Sequence, residues 1–158
     1  MNTTNTITTL FTLLSICSPL HINAADETIL NNTVMQSLNI EGNTVVIKGN
    51  VSIAENITVS NGTIIFDDDK SSLSVGGNII IDNNLTLTTN YHSVNGRKYT
   101  IRVNGKIICN GELSISEIGT ANNTFDIHTT NLSAKEINIT NSYVTRHSVT
   151  SNNVELPL

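Results

Sequence analysis

The apolar residues of this chain fall in short clusters that begin about six residues apart. Val45, Val51 and Ile57 open one set, Leu73, Ile79 and Leu85 a second, and Ile101, Ile107 and Leu113 a third. Within most clusters every other side chain is apolar, the period-two pattern of a strand with one face buried. Between them stand "KGN", "AEN", "GGN", "DNN", "VNG" and "CNG", tripeptides rich in the residues that turn a chain. The pattern predicts many short strands joined by tight corners.

A second, longer spacing overlies the first. Ile53 and Val75, Ile57 and Ile79, and Val59 and Ile81 are pairs at one constant interval, and the polar pairs Ser52 with Ser74, Asn56 with Asn78 and Asn61 with Asn83 keep it too. Extending it aligns Ile79 with Ile101, Ile81 with Val103, Leu85 with Ile107 and Leu87 with Cys109, and then it fades apart from pieces such as Ile115 with Ile137. A hairpin meander has no reason to keep such an interval, because its paired strands are neighbours in sequence. A coil that circles once and lies on its predecessor does, since each residue then sits one strand spacing above its counterpart. The expected fold is therefore all-β, a single-domain right-handed parallel β-helix (solenoid) with coils of about 22 residues, with an antiparallel β-sandwich as the alternative. The repeated Ile residues would form the interior stack and the repeated Asn residues would form ladders at the corners.

Composition agrees. The 158 residues make one domain, aromatic residues are 4%, charged residues 13% and there is no Trp, which leaves Thr, Ile, Val, Ser and Asn to build strands and turns. No charged side chain occurs before Asp26, and the run "ITTLFTLLSICSPL" at residues 7–20 leads to "HINAADE". This reads as a signal peptide over residues 1–25, cut near Ala24 or Ala25, against the other reading of a buried first strand or helix. Cys17 in "LLSIC" partly matches a lipidation box, with Ile16 in place of the small residue. Once the signal is removed, Cys109 is the one thiol left and no internal disulfide can form. Residues 26–42 are expected to cap the stack, with Ile29, Leu30, Val34 and Leu38 on one side of a short helix, or as a strand. Residues 43–145 would form the β-helix, and 146–158 a C-terminal tail.

Short Asn/Gly-turned coils behind a signal peptide, as in "GNIIIDNNLTLTTN" and "VNGKIICNGELSIS", resemble the passenger regions of bacterial autotransporters and related β-helical surface proteins. "GGNI" at Gly76 is similar to the repeat of chlamydial polymorphic membrane proteins, without its companion FxxN. The likeness spans residues 43–144. It implies a secreted or cell-surface, adhesin-like protein, outer membrane-associated in a bacterium, that presents loops and outer faces to a host or matrix glycan or protein.

Candidate chemistry is sparse. Asp67, Asp68 and Asp69 form the acidic cluster, and both glycoside hydrolysis and Ca²⁺ binding use grouped carboxylates. Three consecutive Asp residues between strands read equally as a solvated turn, so the cluster is a candidate loop or loose Ca²⁺ site and a minor case for a polysaccharide-active fragment. Arg97, Lys98, Arg102 and Lys106 supply half of the eight Lys and Arg in a chain of net charge −5. With Tyr99, Ile101 and Val103 inward, Lys98 and Arg102 would face outward and Lys106 would follow after the turn, a candidate site for a polyanion such as an acidic glycan or lipid headgroup. Edge-protecting charge is the bland alternative. His92, His128 and His147 lack the spacing of a zinc site and read as surface residues. No GxSxG, HExxH, P-loop or dinucleotide fingerprint occurs. Thr86 and Thr88 suggest an ice-binding row, but Thr-x-Thr does not recur at the repeat interval. Asn-x-Ser/Thr acceptor sites for glycosylation recur at Asn31, Asn50, Asn56, Asn61, Asn84, Asn122, Asn131 and Asn138. The reading is a non-enzymatic binding protein with no catalytic residues, metal, cofactor or nucleic-acid partner. A module that self-associates through its solenoid ends is the alternative.

Overall fold

The computed structural model describes residues 9–12, 15–16, 20–22, 27–91, 96–118 and 123–148. They form fifteen strands in two sheets, and every strand pair is parallel. The chain alternates between the sheets. β6 (Leu38–Lys48), β8 (Ile57–Phe66), β10 (Ile79–Thr89), β12 (Lys106–Ser116) and β14 (Asn131–Thr140) stack in the eight-stranded sheet. Between them the chain crosses to β7 (Asn50–Ile53), β9 (Ser72–Val75), β11 (Lys98–Val103), β13 (Thr124–Thr129) and β15 (Val144–Ser148) in the seven-stranded sheet. An antiparallel sandwich is excluded by the pairing, and the arrangement fits a parallel β-helix.

Pairing begins early in the chain. β4 (Glu27–Asn31) lies on the second half of β6 and β5 (Val34–Met35) on β7, so the segment read as a short helix or a strand is strand. The reason lies in its own alternation: Leu30, Met35, Leu38 and Ile40 are buried at strand spacing, and Val34 is exposed. Of the expected signal peptide, β1 (Thr9–Thr12), β2 (Ser15–Ile16) and β3 (Leu20–Ile22) pair with β4, β5 and β6. Cys17 and the expected cut at Ala24 or Ala25 lie outside the described residues.

One core runs the length of the stack. Its inward columns are read directly from the register: Leu38–Ile57–Ile79–Ile107 and Ile40–Val59–Ile81–Cys109 in one sheet, and Ile53–Val75–Val103 in the other. All are buried. Phe66 packs against Tyr99 and Phe125 with ring centroids 5.7 and 5.5 Å apart, and the Tyr99 hydroxyl lies 3.1 Å from that of Thr89, which donates to the Phe66 carbonyl. Tyr99 thus brings its polar tip inside with a partner. Cys109 sits in the column as a small buried side chain, its thiol pushed up by burial.

The constant interval of the sequence holds for one circuit only. Ile57 lies under Ile79, as expected, but the residue above Ile79 is Ile107, and Ile101 lies on Leu73 instead. Asn61 likewise pairs with Asn84 rather than Asn83, because a bulge shifts the register between Ile81 and Asn84. Coils differ in length because the excursions between the sheets differ, while the strands they connect stay in line.

The corners repeat one device. The Asn32 side-chain oxygen accepts the Asn50 N–H at 2.9 Å, that of Asn56 accepts the Asn78 N–H at 2.7 Å, and that of Asn78 accepts the Lys106 N–H at 2.8 Å. Each accepted N–H follows a glycine (Gly49, Gly77, Gly105), and a Cβ on any of them would stand 2.3 Å from the same Asn oxygen. The Asn below and the Gly above therefore require each other, since an unpaired N–H at a corner loses its acceptor and a side chain there cannot fit.

Substitutions at the core and at a corner test this packing separately. Ile79→Asp, which places a carboxylate in the apolar column, lowers unfolding free energy by at least about 3 kcal/mol, whereas the neighbouring outward Ile80→Asp changes it by about 1 kcal/mol or less, as measured by urea denaturation. Asn56→Ala, which strands the Asn78 N–H, and Gly77→Ala, which drives a methyl into the Asn56 amide, each cost about 1–3 kcal/mol in the same assay.

Candidate binding surface

Strand alternation fixes the outer face of the seven-stranded sheet. In β11 and β13 the inward residues are Tyr99, Ile101, Val103, Phe125 and Ile127, so Lys98, Thr100, Arg102, Thr124, Asp126 and His128 point away from the core. Register then lines these side chains up across strands. Ser52, Ser74, Arg102, His128 and His147 occupy one column, and Asn50, Ser72, Thr100, Asp126 and Thr145 the column beside it. The last three members of the first column can all be cationic. The His128 and His147 rings stack with centroids 4.4 Å apart and planes 12° from parallel, and His147 Nε2 lies 3.5 Å from the Asp126 carboxylate.

Rings this close repel each other when both are charged. Burial holds His128 below the ordinary value of 6.5, with Arg102 and His147 acting in the same direction and Asp126 opposing them. The folded state thus binds its proton less readily than the unfolded chain does. The stability tied to this group is present above about 6.5 and is lost as the pH falls through that value toward the lower folded one.

The basic residues singled out in the sequence separate in space. Lys98 and Arg102 share one exposed strand face, as expected, but Lys106 opens β12 and belongs to the other sheet. Arg97 turns back: it pairs with Asp69, lies 3.9 Å over the Tyr91 ring, and its backbone N–H is accepted by the Asn123 side chain. The acidic cluster is engaged in the same clamp. Asp67 pairs with Lys48 at 3.0 Å and accepts from Asn90, and the carboxylate of Asp68 caps the N–H of Asp69. The Asp67 pair raises the Lys48 pKa, chiefly through its hydrogen bond. Two of the three carboxylates thus tie the segment at residues 67–70 to Lys48 and Arg97 on neighbouring coils. Among the described residues no cluster of three or more His, Cys, Asp or Glu has the arrangement of a metal site.

Sequence reasoning missed the alignment of His128 and His147 with Arg102. The three lie on successive coils of the chain, and only the strand register brings them together. The eight-stranded sheet holds a comparable column of hydroxyls, Thr44–Thr63–Thr86–Ser114, which the constant interval also hid. Its companion column, Val46–Ile65–Thr88, is mixed, so of these rungs only Thr86/Thr88 carries Thr at both positions. Comparison with protein-family models, with curated proteins and with solved structures finds no match to this chain.

The clamp yields a prediction. Arg97→Ala removes an ion pair and a cation–π contact together and lowers unfolding free energy by about 1–2 kcal/mol. Excess Ca²⁺ leaves the wild-type melting temperature unchanged in a thermal scan, because Asp67 and Asp69 already have cationic partners.

Proposed function

We propose that the chain is a right-handed parallel β-helix, exported behind the segment at residues 1–25 and acting at the cell surface or in the medium as a non-enzymatic, adhesin-like binding protein. Its ligands are glycans or proteins outside the cell, as for the autotransporter passengers its sequence resembles. The observation that carries this reading is the pair of outward columns, in which polar and charged side chains recur one strand spacing apart on a scaffold fixed by its core. A surface with a regular repeat suits a ligand with one, and many weak contacts in register add up to useful avidity.

A second reading has its own observation. β14 and β15 have a strand on one side only among the described residues, and the β14 side chains are half-buried or exposed, Ile139 being 39% exposed. Such a rung can template another, which favours end-to-end association of copies. Against it, Arg146 takes the register position above Ile127 and ends that apolar column with a cation.

The test is a panel of extracellular glycans and matrix proteins offered to the chain at neutral pH, with sedimentation velocity at several concentrations. Saturable binding to panel members by a monomer supports the first reading. Concentration-dependent growth in mass without binding replaces it with the second, and a monomer that binds nothing removes both.

A further inference from the structure

The column Ser74–Arg102–His128–His147 combines features that no single residue in it has. Its three potential cations stand on consecutive strands, so they form a straight line along the stack with about 4.8 Å between rungs. Hydroxyls flank that line on the same face: Ser72, Thr100 and Thr145 in the adjacent column, and Thr124 beside Lys98. The charged groups facing the imidazoles are Arg102 from β11, Asp126 from β13 and the other imidazole. Arg146 occupies the inward register position next to His147, and its Nε is buried without a hydrogen-bond partner.

We propose that Arg102, His128 and His147 form a linear strip for an acidic polysaccharide, engaged when the two imidazoles are protonated. With both stacked rings neutral, the strip carries one fixed charge from Arg102 beside the Asp126 carboxylate, and it holds a polyanion weakly. With both rings protonated, three like charges stand on adjacent rungs with one carboxylate to offset them. A chain of sulfate or carboxylate groups laid along the stack relieves that repulsion, so proton uptake and polyanion binding favour each other. A polysaccharide fits better than a lipid surface, because the match is a line of charges among hydroxyls. The exposed large apolar side chains among the described residues, Val34, Ile139 and Tyr143, stand singly rather than as an inserting patch. The inference rests on the glycan-binding reading above and supplies its ligand class and its control by pH.

The experiment measures binding of the full chain to dextran sulfate, with uncharged dextran as reference, at pH 7.5 and 5.5 and fixed moderate salt. The same titration is run with vesicles of phosphatidylcholine and phosphatidylserine. The expected result is affinity for dextran sulfate at least about tenfold higher at pH 5.5, none for dextran, and weaker binding to the vesicles. Arg102→Gln weakens binding at both pH values, and His128→Gln with His147→Gln removes the pH dependence. Independently of any variant, dextran sulfate raises the titration midpoints of both imidazoles in NMR spectra, the reciprocal of the pH effect on binding. Affinity equal at the two pH values, midpoints unmoved by ligand, or acid that loosens β15 without promoting binding overturns the proposal. Preferential acid-dependent binding to the vesicles overturns it in favour of a lipid headgroup. In each of these cases binding to the neutral-pH panel leaves the broader function standing, whereas a chain that fails the panel and binds dextran sulfate only in acid confines its function to this strip.

Discussion

Backbone pairing between successive parallel rungs is the constraint on which the rest of this structure depends. Each strand of β6 to β15 is hydrogen-bonded to the strand one circuit before it and, except at the last rungs, to the strand one circuit after. That geometry leaves a residue no freedom in choosing its neighbours above and below. An inward position on an inner rung is apolar or, like Thr89 next to Phe66, carries a polar group with its own hydrogen-bond partner, because it has neighbours on both sides and no water. An outward position becomes part of a column whether or not selection has made use of it. Core and outward columns are thus two faces of the same register.

Holding that register through turns of unequal length falls to the corners. The Asn side chains at positions 32, 56 and 78 reach up one rung to an N–H that would otherwise lack a partner, and the glycines above them leave room. The corner that follows the long strands also absorbs backbone that twists the other way: Asn32 and Gly49 have positive φ there, as do Glu117 and Asn141 on later coils. Asn141 donates to Glu117 across one circuit at 2.8 Å. Loops of variable length leave from this same corner after β8 and β10, where the Lys48–Asp67 and Asp69–Arg97 pairs tie them down. Extra residues between strands are thereby accommodated without disturbing the pairing of the strands they join.

How much of this could be read from the chain depends on which interaction wrote it. Parallel strands were legible from the repeat interval, and the buried faces of Ile57, Ile79, Tyr99 and Ile101 because burial imposes a period of two on each strand and does so locally. Lys98 and Arg102 were legible as outward residues by the same rule. The partner of Ile79 was not, because the constant interval predicted Ile101, whereas the longer stretch of sequence between β10 and β11 brings Ile107 into place. His128 and His147 looked scattered for the same reason: their closeness is a property of coil lengths, which sequence spacing reports only when coils are equal. The Asp cluster suggested chemistry because its cationic partners, Lys48 and Arg97, are distant in sequence.

The register between coils is therefore the central claim, and it can be measured with pairs of labels on outward positions. In a chain carrying Cys17→Ser and Cys109→Ser, pyrene on Ile80→Cys and Ile108→Cys should give strong excimer emission, because these positions are partners on adjacent strands about 4.8 Å apart. The pair Ile80→Cys with Arg102→Cys, which a constant repeat interval would place one above the other, should emit as isolated monomers because its members lie on different sheets. Excimer emission from the second pair and not the first would contradict the register, and with it the column that joins Arg102 to the two histidines.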